Sequence, residues 1–341
     1  LFSGKIDIGT AQLFGTHATL YKQTTESAPN YQFLIDAFTS EQEDQSTPIN
    51  LRIGSFIIRH ADISYDIKSE KTHPNAIDVN HIHLNDCGMN IALRSFTKDS
   101  LNISVRRLQA SELNSGLSLH DTHFKLLVNS QQAHLTDFSI SLPHSHIATD
   151  SLIVDFQHSE KDSTFTLHST PIAGTITPND LASIEKKLQS FSTPIHFSFS
   201  IKGDEKTITI PDFNVHSGNN ITLNANANIS HPTNEKLREI DSHISYFNLK
   251  DEEIPNIANI FIPNYEDSLI HHIKDFTYSG HIKYNSTKEL LSDGHFKTAI
   301  GSAEYDIIYD TDKTLSGIIS GDSLHIGKIL NDKRLGIASF N

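Results

Sequence analysis

Along most of the chain, apolar residues occupy every second position. In INLRIGSFIIRHADISYDI, Ile49, Leu51 and Ile53 share one side of an extended backbone, and Ile63, Tyr65 and Ile67 resume the pattern after a short break. The same period of two returns at Leu101, Ile103 and Val105, at Phe124, Leu126 and Val128, and at Phe138, Ile140 and Leu142. After a turn at Pro143 it reappears at Leu152, Val154 and Phe156. The second half continues with Ile195, Phe197, Phe199 and Ile201, then Ile208 and Ile210, Phe213 and Val215, and the run Ile221, Leu223, Ala225, Ala227, Ile229. Toward the end, Phe276, Tyr278, Gly280, Ile282 and Tyr284 alternate, followed by Tyr305, Ile307 and Tyr309. Each run predicts a half-buried strand, because successive side chains of an extended backbone leave on opposite faces. The links are short and rich in Asn, Asp, Ser, His and Gly, as antiparallel neighbours require. The chain therefore reads as mainly β, a long curved antiparallel sheet in sequential order, open as a trough or taco-like array, with a few short covering helices.

Two segments leave this pattern. In PNDLASIEKKLQSF, Asn179 or Asp180 is placed as a cap, and Leu181, Ile184, Leu188 and Phe191 recur at helical spacing, which predicts a helix over 179–191. A second helix is expected over 251–262, with Ile254, Ile257, Ile260 and Phe261, interrupted by Pro255. Each is expected to cover an edge of the sheet. A boundary near residue 170 divides the chain into an amino-terminal part of the array, 1–170, and its continuation, 171–341. LTDFSISLPHSHIATDSLIVDF and ITIPDFNVHSGNNITLNANANI share a strand–turn–strand layout, a loose hairpin repeat without a strict period.

Composition sharpens the picture. Hydrophobic residues make up 37% of the 341, under the roughly 45–50% of ordinary globular domains, a reference that also counts Gly. A compact two-domain core would be underfilled, whereas a thin sheet that buries one face needs fewer apolar residues. The formal charge of -14 opposes phosphate backbones and argues against a nucleic-acid partner. The single Cys, Cys87, excludes an internal disulfide framework and multi-cysteine zinc sites. No apolar run approaches the roughly 18 residues of a membrane-spanning helix, and the first residues lack a signal-peptide layout, so any anchor is expected upstream of Leu1.

Candidate chemistry is sparse. Histidine is abundant, 21 in all, and His81 with His83, and His144 with His146, would each put two imidazoles on one face of a strand, a spacing that two metal ligands could use. His271 and His272 would point apart. Without a third ligand fixed by the sequence, these read as solvent-face or turn residues, and no cofactor or metal is expected. There is no Gly-x-Ser-x-Gly elbow and no phosphate-binding Gly loop, and the carboxylates are dispersed, so an enzyme is not expected.

What remains is a surface. An apolar sheet face that no second sheet closes must meet a helix, a partner or a lipid. Either the sheet curls into a trough where acyl chains lie, or it closes as a sandwich whose loops carry function. On the first reading the candidate lining residues are Ile103, Val105, Leu126, Val128, Ile140, Leu152, Val154, Phe197, Phe199, Leu223 and Tyr278, each of which ordinary core packing would explain equally well.

The opening IDIGTAQLFGTHATLYKQTTESAPNYQFLIDAF, from Ile6 to Phe38, has a strand and a Leu-Tyr-Lys turn before an aromatic, Phe-rich strand. Near the other end, YSGHIKYNSTKELLSDGHFKTAIGSAEYDIIYD and LSGIISGDSLHIGKILNDKRLGIASFN carry a Gly, Phe, Thr-x-x-Gly, Asp and "GKIL…LG" order. On these segments the chain resembles the TamB subunit of the translocation and assembly module, within the AsmA-like superfamily, in the long form found in Bacteroidetes. The resemblance implies a periplasmic protein held in the inner membrane by an upstream segment, with a hydrophobic groove that conducts phospholipid between the inner and outer membranes. It also implies a role in outer-membrane protein assembly with a barrel partner, docked through regions outside this fragment. A structural or adhesin-like β-array is a third expectation, which the lack of Trp does not favour.

Overall fold

The computed structural model describes residues 5–33, 36, 50–97, 99–158, 163–254, 257, 274–286, 289–310, 314–329, 332 and 334–340. These residues form twenty strands, almost all in antiparallel pairs, with only short helical segments, so the chain is mainly β. It divides into two compact units, one comprising 1–157 with 176–189 and the other 158–175 with 190–341.

In the first unit, β3 (Asn50–Ile67), β4 (His81–Thr97), β5 (Ser100–Glu112), β6 (Ser118–Asn129), β7 (Gln132–Ser141) and β8 (His146–His158) form a meander, each antiparallel to the next. The unit departs from a purely antiparallel array at its start. There, β1 (Lys5–Phe14) and β2 (His17–Lys22) run end to end beside β3 and parallel to it, with Lys5 opposite Asn50 and Lys22 opposite Ile67. A parallel neighbour cannot be reached through a tight hairpin, and the chain between Lys22 and Asn50 is long enough for the return. The break between β1 and β2 falls at Gly15, whose φ of 57° is left-handed, and the ladder is carried across it by Gly15 N–H to the Arg59 carbonyl at 3.0 Å and Asp62 N–H to the Thr16 carbonyl at 2.9 Å. Nearby, His60 and Asp86 also take positive φ, 53° and 50°, where the β3–β4 register shifts. These bulges account for the short break seen in the alternation between Ile53 and Ile63, and they twist and bend the two long strands.

The second unit is built on the same plan. It contains β9 (Ser163–Ser169), β10 (Ile172–Ile176), β11 (Ile195–Phe199) and β12 (Lys202–Asp204). The meander then runs through β13 (Thr207–Ser217), β14 (Ile221–Ser230), β15 (Glu239–Leu249), β16 (Phe276–Asn285), β17 (Leu290–Thr298), β18 (Gly301–Tyr309) and β19 (Leu315–His325). The helix α1 (Ile326–Ile329) leads to the short β20 (Ile337–Phe340), which pairs with the end of β19. The runs around Ile208 and Phe213 are one strand, not two; the register shifts between Ile210 and Phe213, where Pro211 cannot donate to a ladder.

The helix expected over 179–191 is instead two 3-10 segments, Pro178–Leu181 and Lys186–Ser190. Asp180 does not cap a helix. Its carboxylate accepts from the His144 backbone N–H at 2.8 Å and the Ser145 hydroxyl at 2.7 Å, which ties this segment to the β7–β8 turn. Ile184 is 64% exposed, so no continuous apolar stripe rewards a longer helix. Of the helix expected over 251–262, most lies outside the described residues, but Ile254 is buried and Ile257 packs near it.

Phe191 and Ile254 cover one end of the second unit's sheet, forming a cluster with Ile221 and Leu249 against which Ile195, Phe247 and Phe276 pack. Phe191→Ala removes the largest side chain of that cluster and is expected to cost about 3–5 kcal/mol. Urea unfolding followed by circular dichroism checks this; a loss under about 1 kcal/mol would mean that the covering segment does not hold the sheet end.

Candidate functional site

Residues directly opposite each other on paired strands share a face, so register decides what the sheet presents. In the first unit one row runs Ile8, Ile53, Leu93, Ile103, Leu126, Leu135, Leu152 across seven strands. A second runs Ile6, Leu51, Phe96, Leu101, Val128, Ala133, Val154. On the other side of the first row lie Ala11, Phe56, Ile91, Val105 and Phe124, and then Leu13, Ile58, Met89, Leu108, Thr122, Ile140 and Ile147. The face is therefore apolar over most of its breadth, with Thr122 and Thr149 the polar members of these rows. The opposite face carries rows such as Ala92, Ser104, Lys125, Thr136, Ser151 and Gln12, Ile57, Asn90, Arg107.

The second unit repeats the arrangement with aromatic residues. Phe197, Val215, Leu223, Phe247, Tyr278, Phe296, Ala303, Gly321 and Phe340 form one row. Phe199 stands beside it, its ring 6.0 Å from Phe197 and 5.7 Å from Phe213. Phe276 and Phe296 stack at 6.2 Å, and Tyr278 and Tyr305 at 6.3 Å. Tyr278 lies over the cross-strand glycine pair Gly280 and Gly294: a Cβ on Gly294 would come within 2.6 Å of the Tyr278 ring. Its hydroxyl donates to the Asp293 carbonyl at 3.4 Å and accepts from Tyr305 at 3.1 Å, and Ser292 completes the trio at 2.9 Å from Tyr305. Burial first, and the bond from Tyr305 next, push the Tyr278 phenol well above its ordinary value, so it stays protonated.

The structure thus brings Ile103, Leu126 and Leu152 into one row and Val128 and Val154 into the next, with Val105 and Ile140 on the same face. In the second unit, Phe197, Leu223 and Tyr278 share a row that Phe199 flanks. Val105 and Tyr278 are buried and the others half-buried. Within the first unit, packing runs between neighbouring strands, and no second sheet lies on the face among the described residues. Its outer members Ile6 and Phe96 are each 42% exposed. Sequence reasoning missed Phe56, Ile91, Phe247 and Phe296, which extend the same rows; the bulges near the first two and the register shift between Ile244 and Phe247 interrupt the alternation that marks a strand, while Phe296 alternates with His295 and Lys297 and could have been read.

The histidines occupy the polar side and the turns. His81 is buried, and its Nδ1 contacts Asp66 Oδ1 at 3.0 Å while its Nε2 lies 3.2 Å from the Glu70 carbonyl. Both partners are acceptors, so only the imidazolium satisfies both. His83 Nε2 reaches the same Asp66 oxygen at 3.1 Å. The bond to Asp66 raises the His81 pKa against the opposing effect of burial, with the Glu70 carbonyl assisting. Burial works to raise Asp66, but the bonds from His81 and His83 outweigh it and hold the carboxyl below its usual range. His144 sits in the turn before β8 rather than on the strand; it pairs with Asp180 at 3.0 Å, while His146 contacts Ser141 at 3.0 Å, so the two imidazoles do not converge. His271 and His272 lie outside the described residues. Among the described residues no group of three or more His, Cys, Asp or Glu side chains is placed to hold a metal, and no helix is long and apolar enough to cross a membrane. Cys87 is buried, and burial, then the charges of Asp62 and Asp86, push its thiol up, which keeps it in the unreactive protonated form.

Comparison with protein-family models, with curated proteins and with solved structures found no match.

The Asp66–His81 pair has a defined pH window. Because the folded His81 pKa is raised above about 6.5, its contribution is complete below that value and is lost as pH rises through the folded pKa. Because the Asp66 pKa is depressed below about 3.9, its contribution holds above that value and is lost as pH falls through the folded one. The stability lost on His81→Gln is therefore expected to be greatest near about pH 5–6 and to shrink as pH rises. Denaturation midpoints of both proteins across pH check this, and a difference that grows with pH would refute it.

Proposed function

We propose that this chain is a non-enzymatic segment of a cell-envelope protein whose apolar sheet face carries phospholipid acyl chains between the inner and outer membranes, their headgroups remaining at the wet rim. The observation that carries the reading is the set of apolar rows kept in register across seven strands of the first unit, with polar rows on the reverse. Each acyl CH₂ that is fully buried gains about 0.8 kcal/mol over exposure to water, so acyl chains have a driving force onto such a face without a polar ligand pocket, and the hold of a single chain is reversible. The resemblance of the terminal segments to TamB agrees with this reading, and on it the segment works in the periplasm, held to the inner membrane through sequence upstream and meeting a barrel partner elsewhere.

Near-stoichiometric phospholipid is expected when the protein is purified without detergent and analysed by native mass spectrometry. Val128→Asp and Phe199→Asp are each expected to remove most of it while circular dichroism still reports a sheet. A folded protein free of lipid would overturn the proposal for this segment.

A second reading is favoured by the sheet borders. Among the described residues β1 pairs on one side only, with Ile8 37% exposed, and on the side away from β18 β19 meets only the short β20, with Leu315 and Ile318 61% and 67% exposed. Such borders suit the addition of a client strand during outer-membrane protein assembly. On that reading, the lipid-free protein captures unfolded outer-membrane strand peptides, and Ile318→Lys reduces the capture several-fold in a pull-down; capture unchanged by the charge would sink it.

A further inference from the structure

Three neighbouring strands of the first unit hold most of the chain's arginine. The chain has seven arginines against 41 acidic residues, and five of them, Arg52, Arg59, Arg94, Arg106 and Arg107, lie on the neighbouring strands β3, β4 and β5. Arg52 reaches Asp7 at 3.9 Å. Among the described residues Arg59 has no carboxylate partner; its guanidinium rests 5.6 Å from the centre of the Phe14 ring. The side chain of Arg107 has neither a hydrogen bond nor an ion pair among the described residues. In a protein of net charge -14, guanidinium groups left unpaired amid so many carboxylates call for an explanation.

Between Arg59 and Arg107 the sheet surface is dented. Gly88 of β4 stands opposite Gln109, and Arg59 lies where the β3–β4 register shifts; with no side chain of its own, Gly88 lets the Gln109 side chain fold over it, 2.9 Å from where a Cβ would stand. The result is a concavity of about 310 Å³ lined by residues that include Arg59, His60, Gly88, Asn90, Arg107 and Gln109. The Asn90 carbonyl oxygen accepts from the Ser55 hydroxyl at 3.3 Å, which leaves its amide N–H groups available. The nearby Asp86 carboxylate is engaged by His60 at 2.6 Å.

We propose that this concavity is a binding site for a phosphate group, on the face opposite the apolar rows. Two guanidinium groups and two side-chain amides supply more donors, and more charge, than a single carboxylate could use; they match the three or four oxygens and the double charge of a phosphate monoester. The space exceeds that of the bare anion, which points to a small phosphorylated molecule or a phospholipid headgroup as the carrier. The site stands apart from the acyl-chain reading, since it occupies the other side of the sheet.

The test uses the full chain at low ionic strength. Inorganic phosphate and glycerol 3-phosphate are titrated by calorimetry, and flotation is measured with vesicles of phosphatidylcholine with and without phosphatidylglycerol. Arg107→Gln and Arg59→Gln are each expected to weaken binding at least tenfold. Gly88→Val, which keeps every charge but pushes the Gln109 amide out of its place over Gly88, is expected to do the same, whereas Arg94→Gln, outside the concavity, leaves binding unchanged. Flotation with the anionic vesicles alone, lost in Arg107→Gln, identifies a headgroup as the source; binding of the soluble probes alone identifies a free phosphomonoester. The proposal is overturned if neither titration nor flotation detects saturable binding, or if Arg94→Gln weakens it as much as Arg107→Gln, which would mark diffuse charge. Circular dichroism of each variant verifies the fold, and loss of binding without loss of sheet is required throughout.

Discussion

Register is the constraint on which everything else in this molecule rests. Where a sheet has no second layer over it, the nearest partners of a side chain are the residues directly opposite on the strands to either side. Each such pair contributes only about 0.2–1 kcal/mol. A row such as Ile8, Ile53, Leu93, Ile103, Leu126, Leu135, Leu152 makes six of them in succession, and three further rows run beside it. A slip of one residue in any strand would turn its apolar set to the polar side and interrupt every row at once. The bulges of β3 and β4 belong to the same logic. By inserting residues at His60 and Asp86, the long strands bend while the apolar set on either side of the insertion stays on the same face.

The polar side follows from that division. With the hydrophobic rows committed to one face, the ionisable residues collect on the other face and at the turns, where histidine and aspartate pair repeatedly: His17 with Asp62, His60 with Asp86, His73 with Asp78 and His144 with Asp180. Most of these pairs have an exposed imidazole and add little to stability. The Asp66–His81 pair differs because His81 is buried and both of its ring nitrogens face acceptors. Asp78 and Glu112 lie in the same end of the unit, Asp78 accepting from the His73 and Asn80 backbones and Glu112 from His83, Asn114 and Ser115. The turns that end β3 and β5 are therefore held by carboxylates, with no apolar cluster required.

The fold class was legible in the sequence because period-two alternation reports directly on a half-buried strand; the runs at Leu101, Phe124, Leu152 and Ile221 all lie in strands with the expected side chains on one face. What escaped had physical reasons. Strand direction leaves no mark on alternation, so the parallel pairing of β1 and β2 with β3 could not be read. The 179–191 segment has helical spacing, but Asp180 found better partners in His144 and Ser145, and a tertiary bond prevailed over a local preference. The arginine concavity was invisible because Arg59, Gly88 and Arg107 are far apart in the chain and meet only through the register of three strands.

The two units achieve an apolar face by different means, and the difference bears on what the face can do. In the first, nearly every row position is a branched aliphatic or phenyl side chain. In the second, small residues alternate with rings: Gly280 pairs with Gly294 under the flat-lying Tyr278, and Ala303 pairs with Phe296 on one side and Gly321 on the other. Rings laid along the sheet offer area without depth. A surface of that kind has no enclosed cavity to measure the length or shape of an occupant, and on the proposed reading this suits acyl chains of varied length that must move along it. The same economy explains a hydrophobic content of only 37%: one face of a sheet needs to be apolar, and the rest of the chain remains free for solvent-facing residues.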